Sequence, residues 1–470
     1  MNQQSAIQTR SQTIAQALAG FVETLRCDDI PAVARERARH LILDAVGIAL
    51  ASTQYDFSHR TLAALREFGE GPHDVIGYGA RLPLRDAVMM NGFLVHGLDY
   101  DDTHTRGVIH ATASCFPTAL ATAAERGATG RQMLTAYIAG MEVATRLGSV
   151  ARGGFHQTGF HPTGLIGAFA CALIAGRMRG LTAQQLAMAQ GITLSMASGS
   201  LEFLQDGAWT KRMHPGWAGA AGITAAALAR NGFIGPKATY EGRFGLFASH
   251  LGTLHDPAAL PIATEGLGEV WEVGQVAVKP LPACHFTHAC ADAAVILRRD
   301  HGLRPDQIDR IRALIPAEVV KTVCEPVQHK QKPQNSYDAQ FSIPFAVASG
   351  LVRGRFGLAE LEPEALNDPE TLAVARKVNY EIDPNSAFPK YYSGEVIVTL
   401  KDGREIRHRE EMNRGASDRP LSGDDIVAKF RENAGMALAP SAVARIEEAV
   451  LGLDDGIEAR ALSALLAGRA

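Results

Sequence analysis

At 470 residues, 46% of them hydrophobic and 20% charged, the chain is long enough for a large buried core and for two or three domains. A formal net charge of −4 gives no basic excess, which argues against nucleic-acid or anionic-membrane partners; an anionic substrate must be met by a local cluster of cations. Six scattered cysteines (Cys27, Cys115, Cys171, Cys284, Cys290 and Cys324) show neither CxxC spacing nor a disulfide framework, the start shows no charged-then-apolar leader, and the longest apolar runs, such as "LIGAFACALIAG", are too short to span a bilayer, so a cytoplasmic protein is expected.

In chain order, "IPAVARERARHLILDAVGIALAS" opens on Pro31 after an acidic pair, a helix-start signal, and becomes apolar all round over Leu43–Ala51, which predicts a buried end. "RDAVMMNGFLVHGL", "FPTALATAAERG", "RQMLTAYIAGMEVATRLG", "GAFACALIAGRMRG", "TAQQLAMAQGITLSMA" and "AGAAGITAAALARNG" repeat the helical spacing, and most close on Gly or Asn-Gly. Small residues on so many faces predict helices packed tightly on one another. Near position 268 the texture changes. "EVWEVGQVAVKP", "QIDRIRALIPAEVV" and "SGEVIVTLKDGREIRHRE" are read as strands, the last as two arms around a Lys-Asp-Gly turn. "THACADAAVILRRDHG", "DAQFSIPFAVASGLVRG" and "DPETLAVARKVNYEID" between them are read as helices, and the tail, "SGDDIVAKFRENAG" and "SAVARIEEAVLGLDD", is helical again. The expected fold is mainly α: a large all-helical domain built from residues 1–267 and 409–470, with an α+β lid domain inserted at 268–408.

Four segments place ionisable residues beside glycine and proline within apolar surroundings: "HGLDYDDTHTRGVIHATASCFP", "GFHQTGFHPTGLIG", "DGAWTKRMHPGWAGAAG" and "VKPLPACHFTHACADA". They are read as binding loops between rigid helices. Asp99, Asp101, Asp102, His104 and His110 have the donor types of a metal site, but the other three segments bring cations rather than acids, which disfavours that reading. Iron–sulfur chemistry lacks its thiolates. Metal-free acid–base chemistry on a polycarboxylate uses the whole set. Lys211, Arg212, His214, Lys279, His285 and His288 offer a cationic surface, while Asp99, His110 and His161 offer proton donors and acceptors. Structural roles are assigned to Asp101 and Asp102 (solvated or capping), to His96 (core), to His156 (loop) and to the Glu142–Arg146 pair four apart on a helix. Lys279, placed after a strand and before two prolines, is read as functional.

In this order the four segments, with "HLILDAVGIALAS" before them and "DAQFSIPFAVASGLVRG" after, resemble the MmgE/PrpD family, which includes 2-methylcitrate dehydratase, cis-aconitate decarboxylase and iminodisuccinate epimerase. The resemblance covers nearly the whole chain. It implies the same two-domain arrangement, a homodimer, and no metal or organic cofactor. It matches Asp99 and Thr103 to the family's Asp-aromatic-Asp-Asp-Thr motif, His110 to the histidine after it, and His161 to the Gly-aromatic-His-Pro-Thr histidine. Lys211 and His214 match the Lys-x-x-His pair, and Lys279 the lysine before Pro-x-Pro. Two departures stand out: His110-Ala111-Thr112 where relatives often have His-Pro-Ser, and Gly216-Trp217-Ala218-Gly219-Ala220-Ala221-Gly222, which lacks an arginine and gains Trp217. Arg106 or Arg212 is the candidate replacement for that arginine, and Trp217 for an altered specificity.

The leading expectation is therefore a cofactor-independent dehydratase acting on a small di- or tricarboxylate. Asp99, His110, His161, Lys211 and Lys279 are its catalytic candidates, and Thr103, His214, Arg212 and His285 its substrate-binding ones. Decarboxylation or epimerisation on the same scaffold is the alternative, and a non-catalytic carboxylate-binding dimer is the alternative of another class.

Overall fold

The computed structural model describes residues 12–469; the first eleven residues, on which the absence of a leader was read, lie outside the described residues. The architecture is mainly helical; the described residues add one four-stranded sheet and two short two-stranded pairings, His73–Asp74 with Arg81–Leu82 and Thr103–His104 with Val276–Ala277, the first pairing and one strand of the second lying within the part expected to be all-helical. Helices α1 (Ala32–Ser52), α2 (Leu84–His96), α3 (Thr112–Arg126), α4 (Gly130–Ala151), α5 (Pro162–Met178) and α6 (Thr210–Arg230) form the first layer system. Pro162 opens α5 at its first turn, and Thr129 caps α4 by accepting from the Gln132 amide at 3.3 Å. Helix α5 is central, packed by α3, α4 and α6, and α6 also crosses α2. The α2–α6 crossing depends on glycine: a Cβ on Gly92 would stand 2.6 Å from Gly216 Cα, so the two backbones touch directly. That contact brings the end of α2 and the start of α6, both carrying site residues, to the same place.

The smaller unit contains α7 (His288–His301), α8 (Ile343–Arg353) and four strands: β1 (Ile308–Ile315), β2 (Val378–Ile382), β3 (Gly394–Leu400) and β4 (Glu405–Glu410). The sheet order is β2-β1-β3-β4, with β2 parallel to β1 (Ile311 opposite Val378) and the other pairs antiparallel. The β3–β4 turn closes with Leu400 N donating to Arg404 O at 2.9 Å, and Gly403 takes φ 86° there. Ile311, Ala313 and Ile315 of β1 face a core shared with α7 and α8. The tail helices α9 (Gly423–Gly435) and α10 (Pro440–Leu451) return to the first core, whose members run from Ala15 to Val278 and from Ile426 to Leu466. Phe430 of α9 lies against Gly47 of α1, and beside it Lys429 pairs with buried Asp44 at 2.7 Å.

Three local expectations need correction. "EVWEVGQVAVKP" holds a tight turn, Glu272–Gln275, and its strand is cut to Val276–Ala277, which pair, antiparallel, with Thr103–His104. The amides of Glu272 and Val273 donate to the Glu142 carboxylate at 3.1 and 2.9 Å, so a side chain takes the place of a strand partner. In "DPETLAVARKVNYEID" the helix stops at Ala375, and the β-branched stretch from Val378 becomes the edge strand β2. In "DGAWTKRMHPGWAGAAG" Lys211, Arg212 and His214 lie not in a loop but in the first turns of α6, which continues through Pro215. Among the described residues no helix is long and apolar enough to cross a membrane.

Candidate active site

Beyond His96, the chain turns back under α6 and the segment that follows Val276–Ala277. Asp99 takes φ 50°, a left-handed conformation that aspartate tolerates better than most residues. Its Oδ1 accepts from Lys211 Nζ at 2.7 Å and from Lys279 Nζ at 2.8 Å, and Lys279 also donates to the Asp99 carbonyl at 2.8 Å. Both the carboxylate and Lys279 are fully buried, and Asp99 Oδ2 has no hydrogen-bond partner among the described residues. Burial alone would raise the Asp99 pKa, but the two ammonium groups outweigh it and hold the carboxyl well below its ordinary range. For Lys279 the burial penalty is likewise exceeded, by Asp99 and Asp101, and its pKa rises.

Around this clamp stand imidazoles. His110 Nδ1 lies 2.6 Å from the Asp102 carbonyl, which can only accept, so Nδ1 carries the proton and Nε2 keeps a lone pair. His161, which precedes the first turn of α5, meets His214 Nδ1-to-Nδ1 at 2.9 Å, one donating and the other accepting. His285 is fixed by Asn413. Asn413 Oδ1 accepts from the Tyr392 amide at 3.0 Å, which turns its Nδ2 toward His285 Nε2 at 2.7 Å; His285 Nδ1 therefore bears the hydrogen, and it has no partner among the described residues. Burial, and then nearby positive charge, keeps these rings neutral. His110 and His161 lie well below the ordinary histidine range, His214 is lowered to about 4 and His285 to about 3.

Asp99, Thr103, His110, His161, Lys211, Lys279 and His285 thus line one cavity of about 50 Å³, together with Cys284, Phe203, Phe341 and Tyr392. Two of the residues read as substrate-binding stand behind it. His214 backs His161, and Arg212 lies 4.5 Å from the ring centroids of both Phe57 and Tyr337 while its Nε donates to Gly97 O at 2.7 Å. Arg106 points outward, with its side chain 56% exposed, and binds Glu272. Neither arginine replaces the missing one inside the cavity. Trp217 sits on the outer face of α6, its Nε1 3.4 Å from the Met196 carbonyl, and forms no part of the cavity wall.

Asp101 and Asp102 are not solvated: both are buried. Asp101 accepts from His96 Nδ1 at 2.7 Å; burial raises its pKa, but His96 and His110 outweigh that and lower it to about 2. Asp102 accepts from the Thr112 hydroxyl, and burial together with Asp101 raises its pKa to about 7. His156, read as a loop histidine, lines the outer side of the same cavity. Sequence reasoning passed over Gln340, whose Nε2 donates to the carbonyls of Leu98 and Pro282 and joins the two walls, and Asn413, which orients His285. Gln340 lies in a quoted segment but carries no charge, and Asn413 lies beyond every motif.

What the arrangement can do is bind anions at two ammonium groups and an imidazole N–H, and move protons between a lone pair and an ammonium, within a small space. Comparison with known proteins points the same way. The MmgE/PrpD N-terminal domain model matches residues 16–256 and the C-terminal domain model residues 281–455. The chain is 26% identical to a cis-aconitate decarboxylase-like protein of Aspergillus oryzae, covering 98% of each chain. It is 28% identical to the cis-aconitate decarboxylase of Aspergillus terreus (97% of this chain, 96% of the relative) and 28% identical to that of Homo sapiens (97% and 95%). With both halves matched by the family's own models, the chain belongs to the MmgE/PrpD family.

Proposed function

We propose that the protein is a cofactor-independent carboxy-lyase acting on a small unsaturated di- or tricarboxylate, of the cis-aconitate type. The observation that carries this reading is the Asp99–Lys211–Lys279 clamp, whose carboxylate leaves Oδ2 without a hydrogen-bond partner among the described residues, in the wall of a cavity that also carries neutral imidazoles. Lys279 spends two of its hydrogen bonds on Asp99 and stays put; Lys211 makes one and rests 4.9 Å from the Phe341 ring centroid, with N–H groups to spare. The substrate's carboxylates take the spare Lys211 donors and the His285 Nδ1–H. When the carbon–carbon bond to an allylic carboxylate breaks, carbon dioxide leaves and the electron pair spreads into the dienolate of a retained carboxylate. The fixed ammonium charges stabilise that charge more than the ground state. A proton then returns to carbon. Neutral histidines are poor acids, so the donor is the Lys211 ammonium, which is refilled from solvent.

One observation favours a second reading. The His110 tautomer leaves Nε2 free as a base, which decarboxylation does not require and dehydration does. In that case His110 removes the proton next to a carboxylate, the carbon–oxygen bond breaks, and Lys211 protonates the leaving hydroxide to water.

The test is release of carbon dioxide from cis-aconitate. Lys211→Ala and Lys279→Ala should each lower kcat/KM by about 10²–10³-fold. Alkene formation from 2-methylcitrate or citrate without carbon dioxide would favour the dehydratase. Full turnover in both lysine variants contradicts the role given to the clamp.

A further inference from the structure

The reacting cavity borders a second, larger one of about 720 Å³, and the residues common to both are Val108, His156, Leu201, Leu204, Phe286 and Thr322. Four of these six are apolar, so the passage between the two spaces is a greasy collar around a polar, cationic interior.

Val108 differs from its neighbours in the collar. It takes φ 48°, in the left-handed region that a β-branched side chain avoids. The loop around it holds it there. His104 and Ile109 exchange amide-to-carbonyl bonds at 2.9 and 3.3 Å, and Val108 N donates to Thr105 O at 3.3 Å. On the far side the loop cannot retreat, since a Cβ on Gly148 of α4 would already stand 2.8 Å from the Gly107 carbonyl oxygen. The same short loop carries Thr103 and His110 at its two ends. A glycine at position 108 would meet every backbone requirement without strain, so the valine side chain itself needs an explanation, and strain of this kind concentrates at functional sites.

We propose that Val108 is the gate residue of the reacting cavity: its side chain narrows the collar and selects substrates by the width of what must pass. The proposal takes from the preceding reading only the location of the reacting cavity, not the identity of the substrate. It also provides its own reporter, because Cys284 lies on the inner wall, buried, while Cys27 lies far away on the first layer and is partly exposed.

The experiment compares alkylation of Cys284 by a narrow probe, iodoacetamide, and a wide one, its N-phenyl derivative. Each rate is read by peptide mass spectrometry relative to Cys27. Burial pushes the Cys284 thiol up to about 11, so the labelling is run at mildly alkaline pH. Val108→Gly and Val108→Ala should label Cys284 about tenfold faster than the parent. In them the narrow-to-wide rate ratio should fall toward its value for a free thiol, and Val108→Phe should raise that ratio. Melting temperatures establish that each variant is folded; if Val108→Phe is not, the two smaller variants decide. Cys284 rates and probe ratios within twofold of the parent in folded Val108→Gly and Val108→Ala would overturn the proposal. That outcome leaves the carboxy-lyase reading standing, and failure to turn over cis-aconitate leaves the gate standing.

Discussion

Asp99 is buried with one oxygen held by two lysines, so removing its charge while keeping its shape isolates what the clamp does. Asp99→Asn leaves two ammonium groups in a cavity without their counter-ion, a change that costs about 3–5 kcal/mol when a buried pair loses one partner. Urea unfolding should show that loss, and added citrate should raise the melting temperature of the variant more than that of the parent, since an anion then fills the vacancy. Asp102 gives a pH prediction of opposite sign to that of an ordinary paired carboxylate. Its pKa rises from 3.8 to about 7, so between those values the folded state binds the proton and the unfolded state does not. Its contribution to stability therefore falls as pH rises from about 4 to about 7, against the trend set by the buried histidines, so the net loss of stability toward acid should be steeper in Asp102→Asn, measured by urea unfolding across that range. At this scale the motif residues Asp99, Lys211 and Lys279 were legible because charge beside glycine and proline within apolar sequence is rare. The burial of Asp101 and Asp102 was not legible, since it depends on His96 and Thr112, whose directions follow only from packing.

Among the elements, the segment that delivers Lys279 is held by side chains rather than by a sheet. Glu142 and Arg146 of α4, read correctly as a structural pair, lie 3.4 Å apart; Glu142 accepts the amides of Glu272 and Val273, and Arg146 donates to the carbonyls of Glu265, Gly266 and Val270. Glu142→Ala leaves those two amides without their acceptor and Arg146 with its carbonyl partners but without its counter-charge, at about 2–5 kcal/mol. Hydrogen exchange should show residues 265–279 loosening before the rest of the fold, and kcat should fall with them although Glu142 lies outside the cavity. The pattern of valines that suggested a strand in this segment was misleading for a physical reason. Alternation reports which side chains face the core, not what satisfies the amides, and here a carboxylate does so. Elsewhere the alternation and the Lys-Asp-Gly turn predicted β3 and β4 correctly, because there the partner strand is adjacent in sequence.

For the molecule as a whole, burial of neutral histidines sets the acid limit. His285 is lowered to about 3 and His214 to about 4, with His110 and His161 also well below 6.5. The unfolded chain takes up these protons near 6.5 and the folded chain does not, so stability is lost as pH falls below that value, by up to about 1.4 kcal/mol per pH unit for each such group. Several such groups outweigh the opposing slope of Asp102, so thermal unfolding should move steeply downward between pH 6 and pH 4. The return of the tail to the first layer was legible from the change of texture along the chain, but the buried Lys429–Asp44 pair that fastens it was not, because the two residues are distant in sequence and each is unremarkable alone. Proton NMR in deuterated water reads out directly whether this pocket breaks a carbon–carbon bond without a cofactor, as proposed. Chelator-treated protein is given cis-aconitate, 2-methylcitrate, citrate and iminodisuccinate. Loss of carbon dioxide from an unsaturated carboxylate, with one deuteron placed on the product carbon and the same product formed about a hundredfold or more slower by Lys211→Ala, is the predicted result. Water loss or deuterium exchange without carbon dioxide from any of them, or activity that appears only when a divalent metal is added back, would contradict it.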